Sequence, residues 1–194
     1  MMGPTHRLFG ALCGAGMASV SGADATMTML TALVSTATAH GWSSPDVDQT
    51  DAWRAAARVL PPRARALTAH RRLTHWWGLP VLAYLLVLPT LPEAAQWPAT
   101  ALLCGWVSHL LGDAIFGTLP LLPWGGPTVG LGLDTGGFIE TGRAELFGRE
   151  RLLLPFGPTR LLLTLALLWV LTGLPGTDHL TQLWEATATQ AQPR

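Results

Sequence analysis

The sequence predicts an all-α fold, namely a multi-spanning integral membrane helical bundle with about four to five spans or re-entrant helices. Only 12% of the 194 residues are charged and 49% are hydrophobic, whereas about 25% of residues are charged in an ordinary soluble domain. A helix needs about 20 mainly apolar residues to cross a bilayer. Several segments of comparable length contain no Asp, Glu, Lys or Arg: residues 8–23, 25–45, 73–92, 94–112, 114–133 and 161–177.

The first apolar region, residues 8–39, is rich in Gly, Ala, Ser and Thr. Small side chains of this kind allow helices to approach one another closely in lipid. The region forms either one long helix or two short helices that pack together after a break near Ser21 and Gly22. The choice decides where His6 lies, because one long span would place it on the opposite side of the membrane from the other polar clusters.

Three further apolar regions complete the expected bundle. Trp76–Leu91 is slightly short for a span, but its flanks extend it to an adequate length. Trp97–Leu119 is long enough, and Arg160–Leu174 is the most hydrophobic stretch. We expect residues 1–176 to form a single helical membrane domain and residues 177–194 a polar C-terminal tail. A soluble, very apolar helical protein is the less favoured alternative, because it would not require segments of this length.

The distribution of arginine predicts the orientation of the chain. Arginines cluster in His40–Arg72 and Gly142–Arg160, whereas the connection Leu91–Trp97 has none. Two spans separate the basic segments, so both lie on one side, which the positive-inside rule assigns to the cytoplasm. The sequence therefore predicts a multi-pass protein of the inner (cytoplasmic) membrane, embedded in the lipid bilayer. No nucleic-acid partner is expected, because the chain has no basic groove with interleaved aromatic residues.

His109 and Asp113 form the most informative polar cluster. They are four residues apart, so on a helix they share one face. They fall toward the cytoplasmic end of the Trp97–Leu119 region. Ionisable residues inside membrane spans are costly, and each is a functional-site hypothesis by default. The structural alternative is that Asp113 pairs with an arginine or caps a helix, while His109 is a hydrogen-bonded core histidine.

Two more clusters lie in the predicted cytoplasmic segment. His70 and His75, in HRRLTH, are five residues apart and converge only if the chain turns where the next helix begins. Imidazole is a common metal ligand, although these histidines are equally consistent with an amphipathic surface. Asp46 and Asp48, in SPDVD, offer carboxylate oxygens from a turn. The alternatives are that Asp46 caps the next helix and that Asp48 is a solvated loop charge.

Carboxylates and imidazoles directed at one face of a membrane bundle predict a site for one or two divalent metal ions. His6 joins this site if residues 8–39 form a hairpin. A bound divalent ion lowers the pKa of a coordinated water, which makes hydroxide available near neutral pH. The chemistry expected of the cluster is therefore hydrolysis.

The order of these motifs resembles that of a known family. "TH…G", "PDxD", "HRxxTH" and "SHLLxD…G…LLxPW", between Thr5 and about Trp124, resemble the membrane-bound metal-dependent hydrolases typified by the bacterial inner-membrane proteins YdjM and YbcI. The resemblance implies a small multi-spanning helical protein that uses a divalent ion, which we expect to be zinc, manganese or iron. It implies His6, His70, His75, His109 and Asp113 as metal ligands, and Asp46, Asp48, Arg71 and Thr74 as catalytic residues. In the same way Arg71 would hold an anionic group, and Thr74 and Ser108 would orient ligands.

The chain departs from the family pattern at a few positions. Ser43 and Ser44 stand where the family usually has a leucine pair, and Arg72 stands where a glycine often follows the "HR". Gln49 occupies a position that commonly carries histidine. The loss of that histidine leaves the number of bound metal ions open.

The expected function is membrane-bound hydrolysis in which metal-activated water attacks a phosphoester or another ester. Arg71 favours an anionic ester such as a phosphate, and a site at the membrane edge favours a lipid-derived substrate. One alternative is a scaffold or stress-associated membrane protein with a structural metal or polar network; a proton-coupled transporter is less favoured. The glycine-rich stretch Gly125–Gly142 is expected to be a flexible connector or a lid, with Asp134 and Glu140 as late contributors to the site.

Overall fold

Within the residues that the computed structural model describes, the chain is mostly helical, as the sequence predicts. The described residues are 3–41, 43–133, 143–146, 149–152 and 157–172, with only the backbone described for 143–146 and 149–152. The helices are α1 (Gly3–Val20), α2 (Ala25–Ala39), α3 (Asp51–Arg58), α4 (Pro62–Leu67), α5 (Gly78–Leu82), α6 (Glu93–Phe116) and α7 (Pro158–Thr172). Shorter turns of helix are the 3₁₀ segments Pro45–Gln49, Leu73–His75 and Leu88–Thr90 and the π-helical segment Ala83–Val87.

Two short antiparallel strand pairs add to the all-α fold that the sequence predicts. In the first, β1 (Leu119–Pro120) pairs with β2 (Thr128–Val129), with Leu119 opposite Val129. In the second, β3 (Arg143–Leu146) pairs with β4 (Arg149–Leu152). Strands this short carry too little alternating pattern to be recognised in a sequence.

The structure describes the glycine-rich segment as far as Leu133. It forms the turn between β1 and β2 and then runs back to the C-terminal end of α6. There the backbone N–H groups of Leu131 and Leu133 donate to the carbonyl oxygens of Ala114 and Ile115. The predicted contributors Asp134 and Glu140 lie outside the described residues, as does the predicted tail 177–194.

The first apolar region forms a helical hairpin, which decides between the two alternatives of the sequence analysis. A turn separates α1 from α2, and Gly22 adopts a φ of 73°, which favours glycine. Asp24, charged within an apolar region, is the N-cap of α2, since its carboxylate accepts a hydrogen bond of 2.8 Å from the backbone N–H of Met27. The hairpin brings His6, near the start of α1, close to the end of α2.

Helices α1, α2 and α6 meet through small residues. A Cβ atom built on Gly105 of α6 would lie 2.1 Å from Oγ1 of Thr38 and 2.2 Å from the carbonyl oxygen of Ser35. The same α2 residues bond to the backbone of α6: the Ser35 hydroxyl donates to the carbonyl of Ala101 at 2.8 Å, and the Thr38 hydroxyl donates to that of Leu102 at 2.9 Å. Close approach therefore allows hydrogen bonds between the two helices without any charged group.

The side chains inside the bundle are small or polar, and those on its outer surface are largely apolar. Its buried side chains are mostly alanine, threonine, serine and histidine, whereas many leucines on the helix surfaces are exposed. Among the described helices, Glu93–Phe116 is long and apolar enough to cross a membrane, and Ala25–Ala39, Gly78–Thr90 and Pro158–Thr172 are shorter apolar helices. The predicted number of spans therefore stays a prediction.

Substituting Gly105 tests the close contact between α2 and α6. Gly105→Ala is expected to destabilise the folded protein by about 1–3 kcal/mol, because the new methyl group overpacks against Thr38 and Ser35. Thermal unfolding in detergent, followed by circular dichroism, measures the loss. Gly16→Ala is the matched control, since a Cβ on Gly16 meets no atom within 4 Å. Equal stability of the two variants would contradict the contact.

Candidate metal centre

Eight of the residues predicted for the site converge at one end of the bundle. His6 lies in the first two turns of α1, while His109 and Asp113 lie toward the C-terminal end of α6. The other members lie on two 3₁₀ segments and at the entrance to the second one. We call this set the His–Asp cluster: His6, Asp46, Asp48, His70, Thr74, His75, His109 and Asp113.

Asp113 connects α1 to α6 within the cluster. Its Oδ1 lies 3.2 Å from Nε2 of His6, and its Oδ2 lies 3.6 Å from Nε2 of His109. The rings of His6 and His109 stack with centroids 3.9 Å apart and an interplanar angle of 11°. All three residues are buried, and the Asp113 carboxylate contacts a histidine of each helix.

The proton on His109 can be placed from its surroundings. Nδ1 lies 2.8 Å from the carbonyl oxygen of Ala39, which can only accept, so Nδ1 carries the proton. Nε2 then faces Asp113 and also Asp46, whose Oδ2 is 3.8 Å away. A histidine fixed through one nitrogen by a backbone carbonyl, with the other nitrogen directed at carboxylates, has the arrangement of a metal ligand.

His75 lies at the centre of the cluster and contacts both aspartates of the PDVD motif. Its Nδ1 is 3.1 Å from the Thr74 hydroxyl and 3.4 Å from Oδ2 of Asp48. Its Nε2 is 3.5 Å from Oδ1 of Asp46 and 3.6 Å from Oδ2 of Asp113. Like His109, His75 therefore directs Nε2 toward Asp46 and Asp113, while its Nδ1 contacts other groups.

Asp48 is a buried carboxylate whose oxygens both have partners. The Thr74 hydroxyl donates to Oδ2 at 2.5 Å, and Nδ1 of His70 lies 2.9 Å from Oδ1. Asp48 is therefore not the solvated loop charge of the sequence analysis; it holds His70 and His75 in position. Asp46 is not a helix cap either, because Thr50 caps α3.

Burial and neighbouring groups act in opposite directions on the titrating groups of the 3₁₀ segments. Burial alone would lower the pKa of His75, but the nearby carboxylates of Asp46 and Asp48 outweigh it and raise that pKa to about 9. Burial alone would raise the pKa values of Asp46 and Asp48, but the nearby imidazole of His75 outweighs it and holds both below the usual range. The two carboxylates thus favour a positive charge at the position between them.

The cluster contains two adjacent groups of ligand atoms that could each hold a metal ion. In each group the candidate ligand atoms lie within 4.8 Å of one another. Within the described part of the chain, Nε2 of His75 and Nε2 of His109 are buried and have no hydrogen-bond partner, which suits nitrogens that could bind a metal ion. The residue types therefore fit a divalent ion bound by imidazoles and carboxylates. The first group is His6, His109 and Asp113, and the second is Asp46, His70 and His75.

Comparison with known proteins identifies the family. A family model described as YdjM inner membrane protein matches residues 1–177. The chain belongs to the YdjM inner membrane protein family. Membership supports a location in the inner membrane, in agreement with the apolar surface of the helices. Neither the curated proteins nor the solved structures contain a match.

The structure of this YdjM-family chain shows two contributors that the sequence analysis did not assign. Nδ1 of His40 lies 3.6 Å from Oδ2 of Asp46. The side-chain amide of Gln49 donates to Oδ1 of Asp46 at 2.5 Å, so the residue that replaces the common histidine still contacts the cluster. The sequence offered one indication of these contacts, because both residues lie close to the PDVD motif. Ser108, expected to orient ligands, donates instead to the carbonyl of Gly105 in its own helix.

Arg71, predicted to hold an anion, lies beside the His–Asp cluster and has a φ of 58°, a conformation that is uncommon for a residue other than glycine. Arg72 is anchored to the β1–β2 turn, where its Nη1 donates to the carbonyl oxygen of Trp124 at 2.5 Å. Gly125 is required for this contact, because a Cβ there would lie 1.2 Å from Nη1 of Arg72. Trp76 bonds to the same turn through the carbonyl oxygen of Leu121, at 3.0 Å.

Replacing Thr74 tests the hydrogen bonds that orient the candidate metal ligands. Thr74→Val keeps the shape of the side chain but removes its hydrogen bond to Asp48, so His75 loses its orienting partners. We expect metal affinity to fall about 10- to 100-fold, as for other orienting groups behind metal ligands. Competition with a chromogenic chelator measures the affinity. Thr90→Val removes a hydroxyl that donates to the nearby carbonyl of Val87, and it should leave the metal affinity unchanged; equal losses would contradict the role of Thr74.

Proposed function

We propose that this YdjM-family protein is a membrane-bound metal-dependent hydrolase with its centre in the His–Asp cluster. One observation carries the proposal: Nε2 of His75 and of His109 are buried, have no hydrogen-bond partner among the described residues and point at the same two carboxylates, Asp46 and Asp113. Leaving buried polar atoms unpaired costs free energy unless a further partner is bound. A divalent ion is the partner that nitrogen and carboxylate oxygen atoms share.

The residues of the cluster have separate roles in this proposal. His6, His109 and Asp113 bind one ion, and Asp46, His70 and His75 bind a second, with zinc, manganese or iron as candidates. An ion at this position would supply hydroxide near neutral pH and neutralise charge on the ester. Asp48 and Thr74 hold His70 and His75 in position. Asp46, whose side chain is 18% exposed, takes the proton of the attacking water.

An open side favours an enzyme over a structural metal site. Catalytic metal sites keep one position accessible, whereas structural sites are closed by protein ligands. The side chain of His70 is 43% exposed, although that of Asp48 behind it is fully buried. A closed polar network in a scaffold protein would have no need of this exposed ligand. A proton relay of a transporter would extend through the membrane, whereas the cluster lies at one end of the bundle.

We further propose a multi-pass arrangement with the cluster on the cytoplasmic side. The apolar helices alternate in direction, and the cluster gathers the start of α1, the end of α2, the segment before α5 and the end of α6. Arg160 in α7 also reaches this end, where its Nε donates to the Thr5 hydroxyl at 3.2 Å. A centre at the membrane edge suits an ester, such as a phosphoester, of a lipid-derived molecule.

Asp113→Asn tests the metal centre directly. Loss of the carboxylate leaves His6, His75 and His109 without their shared anionic partner, so bound zinc, manganese or iron should fall from stoichiometric to near zero. Elemental analysis of the protein purified in detergent measures the metal, and release of phosphate or alcohol from phospholipids and simple phosphoesters measures hydrolysis. Asp51→Asn is the matched control, because the side chain of Asp51 is fully exposed and its described ion pair is with Arg54, outside the cluster.

The two readouts separate the parts of the proposal. A wild-type protein that binds no metal after reconstitution would refute the metal centre. Metal that is bound by the wild type and lost in Asp113→Asn, but without turnover of phospholipids, simple phosphoesters or a diphosphate, would favour a structural site.

Labelling of introduced cysteines tests the orientation. Cys13 and Cys104 are first replaced by alanine, because they are the cysteines of the chain and neither forms a disulfide. Asp51→Cys should then react with a membrane-impermeant maleimide only in inside-out vesicles, because the basic segment faces the cytoplasm. Glu93→Cys, at the start of α6, should react from the opposite side. Reaction of both residues from one side would contradict the multi-pass arrangement.

A further inference from the structure

A separate cavity of about 280 Å³ lies beside the His–Asp cluster. His70, Arg71 and Arg72 form one wall, and Thr118, Gly126 and Thr128 of the β1–β2 region contribute to the other. Its lining contains two guanidinium groups, two hydroxyl groups and glycine backbone, and no carboxylate among the described residues. Guanidinium groups bind phosphate through charge-assisted hydrogen bonds, so the lining fits a phosphate-sized anion.

A larger cavity on the other side of His70 is less suited to an anion. It measures about 510 Å³ and is also lined by arginines, but Asp48 lies in its wall. Arg54 in this cavity pairs with Asp51. Arg65 donates to the carbonyl oxygens of Arg58 and Leu60. These contacts neutralise or occupy the guanidinium groups of Arg54 and Arg65, whereas the described contacts of Arg72 occupy one Nη atom, on the carbonyl of Trp124.

The smaller cavity and the metal centre share a single residue. His70 lines the cavity, and its ring lies 5.0 Å from that of His75, measured between centroids. An anion in the cavity would therefore lie about one side chain away from a group bound at the His–Asp cluster. Two anionic groups so close together suit a substrate that joins them directly, without a long linker.

We infer that Arg71 and Arg72 bind a second phosphate group of the substrate, so the substrate class is a diphosphate rather than a simple phosphoester. The inference rests on the proposed function, because it places the reacting phosphoryl group at the His–Asp cluster. Arg72 is held by the β1–β2 turn, and the left-handed backbone of Arg71 allows two consecutive arginines to line one cavity.

Hydrolysis in this arrangement cleaves the anhydride bridge. The oxygen of water bonds to the phosphorus at the cluster, the P–O bond to the bridging oxygen breaks, and that oxygen keeps the electron pair on the phosphate bound by the arginines. One proton of the water passes to Asp46 and the other stays on the newly added oxygen. Arg71 and Arg72 then neutralise the charge that develops on the departing phosphate.

Binding of methylenediphosphonate, a diphosphate analogue that water does not cleave, tests the inference. Isothermal titration calorimetry on the whole protein in detergent compares it with orthophosphate, in metal-loaded and metal-free samples. We expect the metal-loaded wild type to prefer methylenediphosphonate. Arg71→Asn and Arg72→Gln should each weaken its binding about tenfold or more, since each removes charge-assisted hydrogen bonds. Arg63→Gln, on α4 and outside the cavity, is the control.

Two measurements keep binding apart from folding and from the metal. Arg71→Asn should unfold no earlier than the wild type, because asparagine adopts the left-handed conformation more readily than arginine. In the metal-free wild type, weak orthophosphate binding should persist and be lost in both arginine variants. The inference is overturned if the variants keep the preference for methylenediphosphonate, or if no phosphate compound binds without metal. If only metal binding fails, the proposed function is overturned. Orthophosphate binding to the metal-free protein then decides whether the cavity binds an anion.

Discussion

The close approach of three helix backbones is the constraint on which the site depends. Gly10 and Gly14 of α1 face α2, where an added Cβ would lie 2.4 Å from side-chain atoms of Ala39 and Ser35. Gly105 allows the same close approach between α2 and α6. Because the backbones lie this near, the short side chain of Asp113 on α6 reaches His6 on α1. Larger residues at these positions would move the side chains of the His–Asp cluster apart, even if the residues of the cluster were unchanged.

The polar interior follows from the same constraint. A bundle packed through glycine, alanine, serine and threonine has little apolar volume at its centre, so hydroxyl-to-carbonyl hydrogen bonds join its helices. The large apolar side chains are left on the outer surface, where a bilayer can cover them. An isolated charge inside such a bundle would be costly, but each carboxylate of the cluster lies beside at least one imidazole group.

Much of the site could be predicted from the sequence, and the rest could not for identifiable reasons. The i, i+4 spacing of His109 and Asp113 fixes a shared helix face, and the small residues of 8–39 are compatible with the hairpin that brings in His6. The convergence of His70 and His75 depends on a 3₁₀ segment that no periodic pattern indicates. Asp46 and Asp48 have different roles because the Thr74 hydroxyl contacts only one of the two carboxylates. The spacing of the residues in the sequence does not show which one.

The glycine-rich segment shows how an irregular stretch can determine a site without contributing a ligand. The C-terminal turn of α6 carries Asp113, and its last carbonyl groups need donors. The segment that follows β2 provides them, and Gly130 must be glycine there because a Cβ would lie 2.1 Å from the carbonyl oxygen of Gly117. The same return of the chain presents the β1–β2 turn to Arg72 and Trp76. One segment thus contacts both the end of α6 and Arg72, which links the His–Asp cluster to the neighbouring cavity.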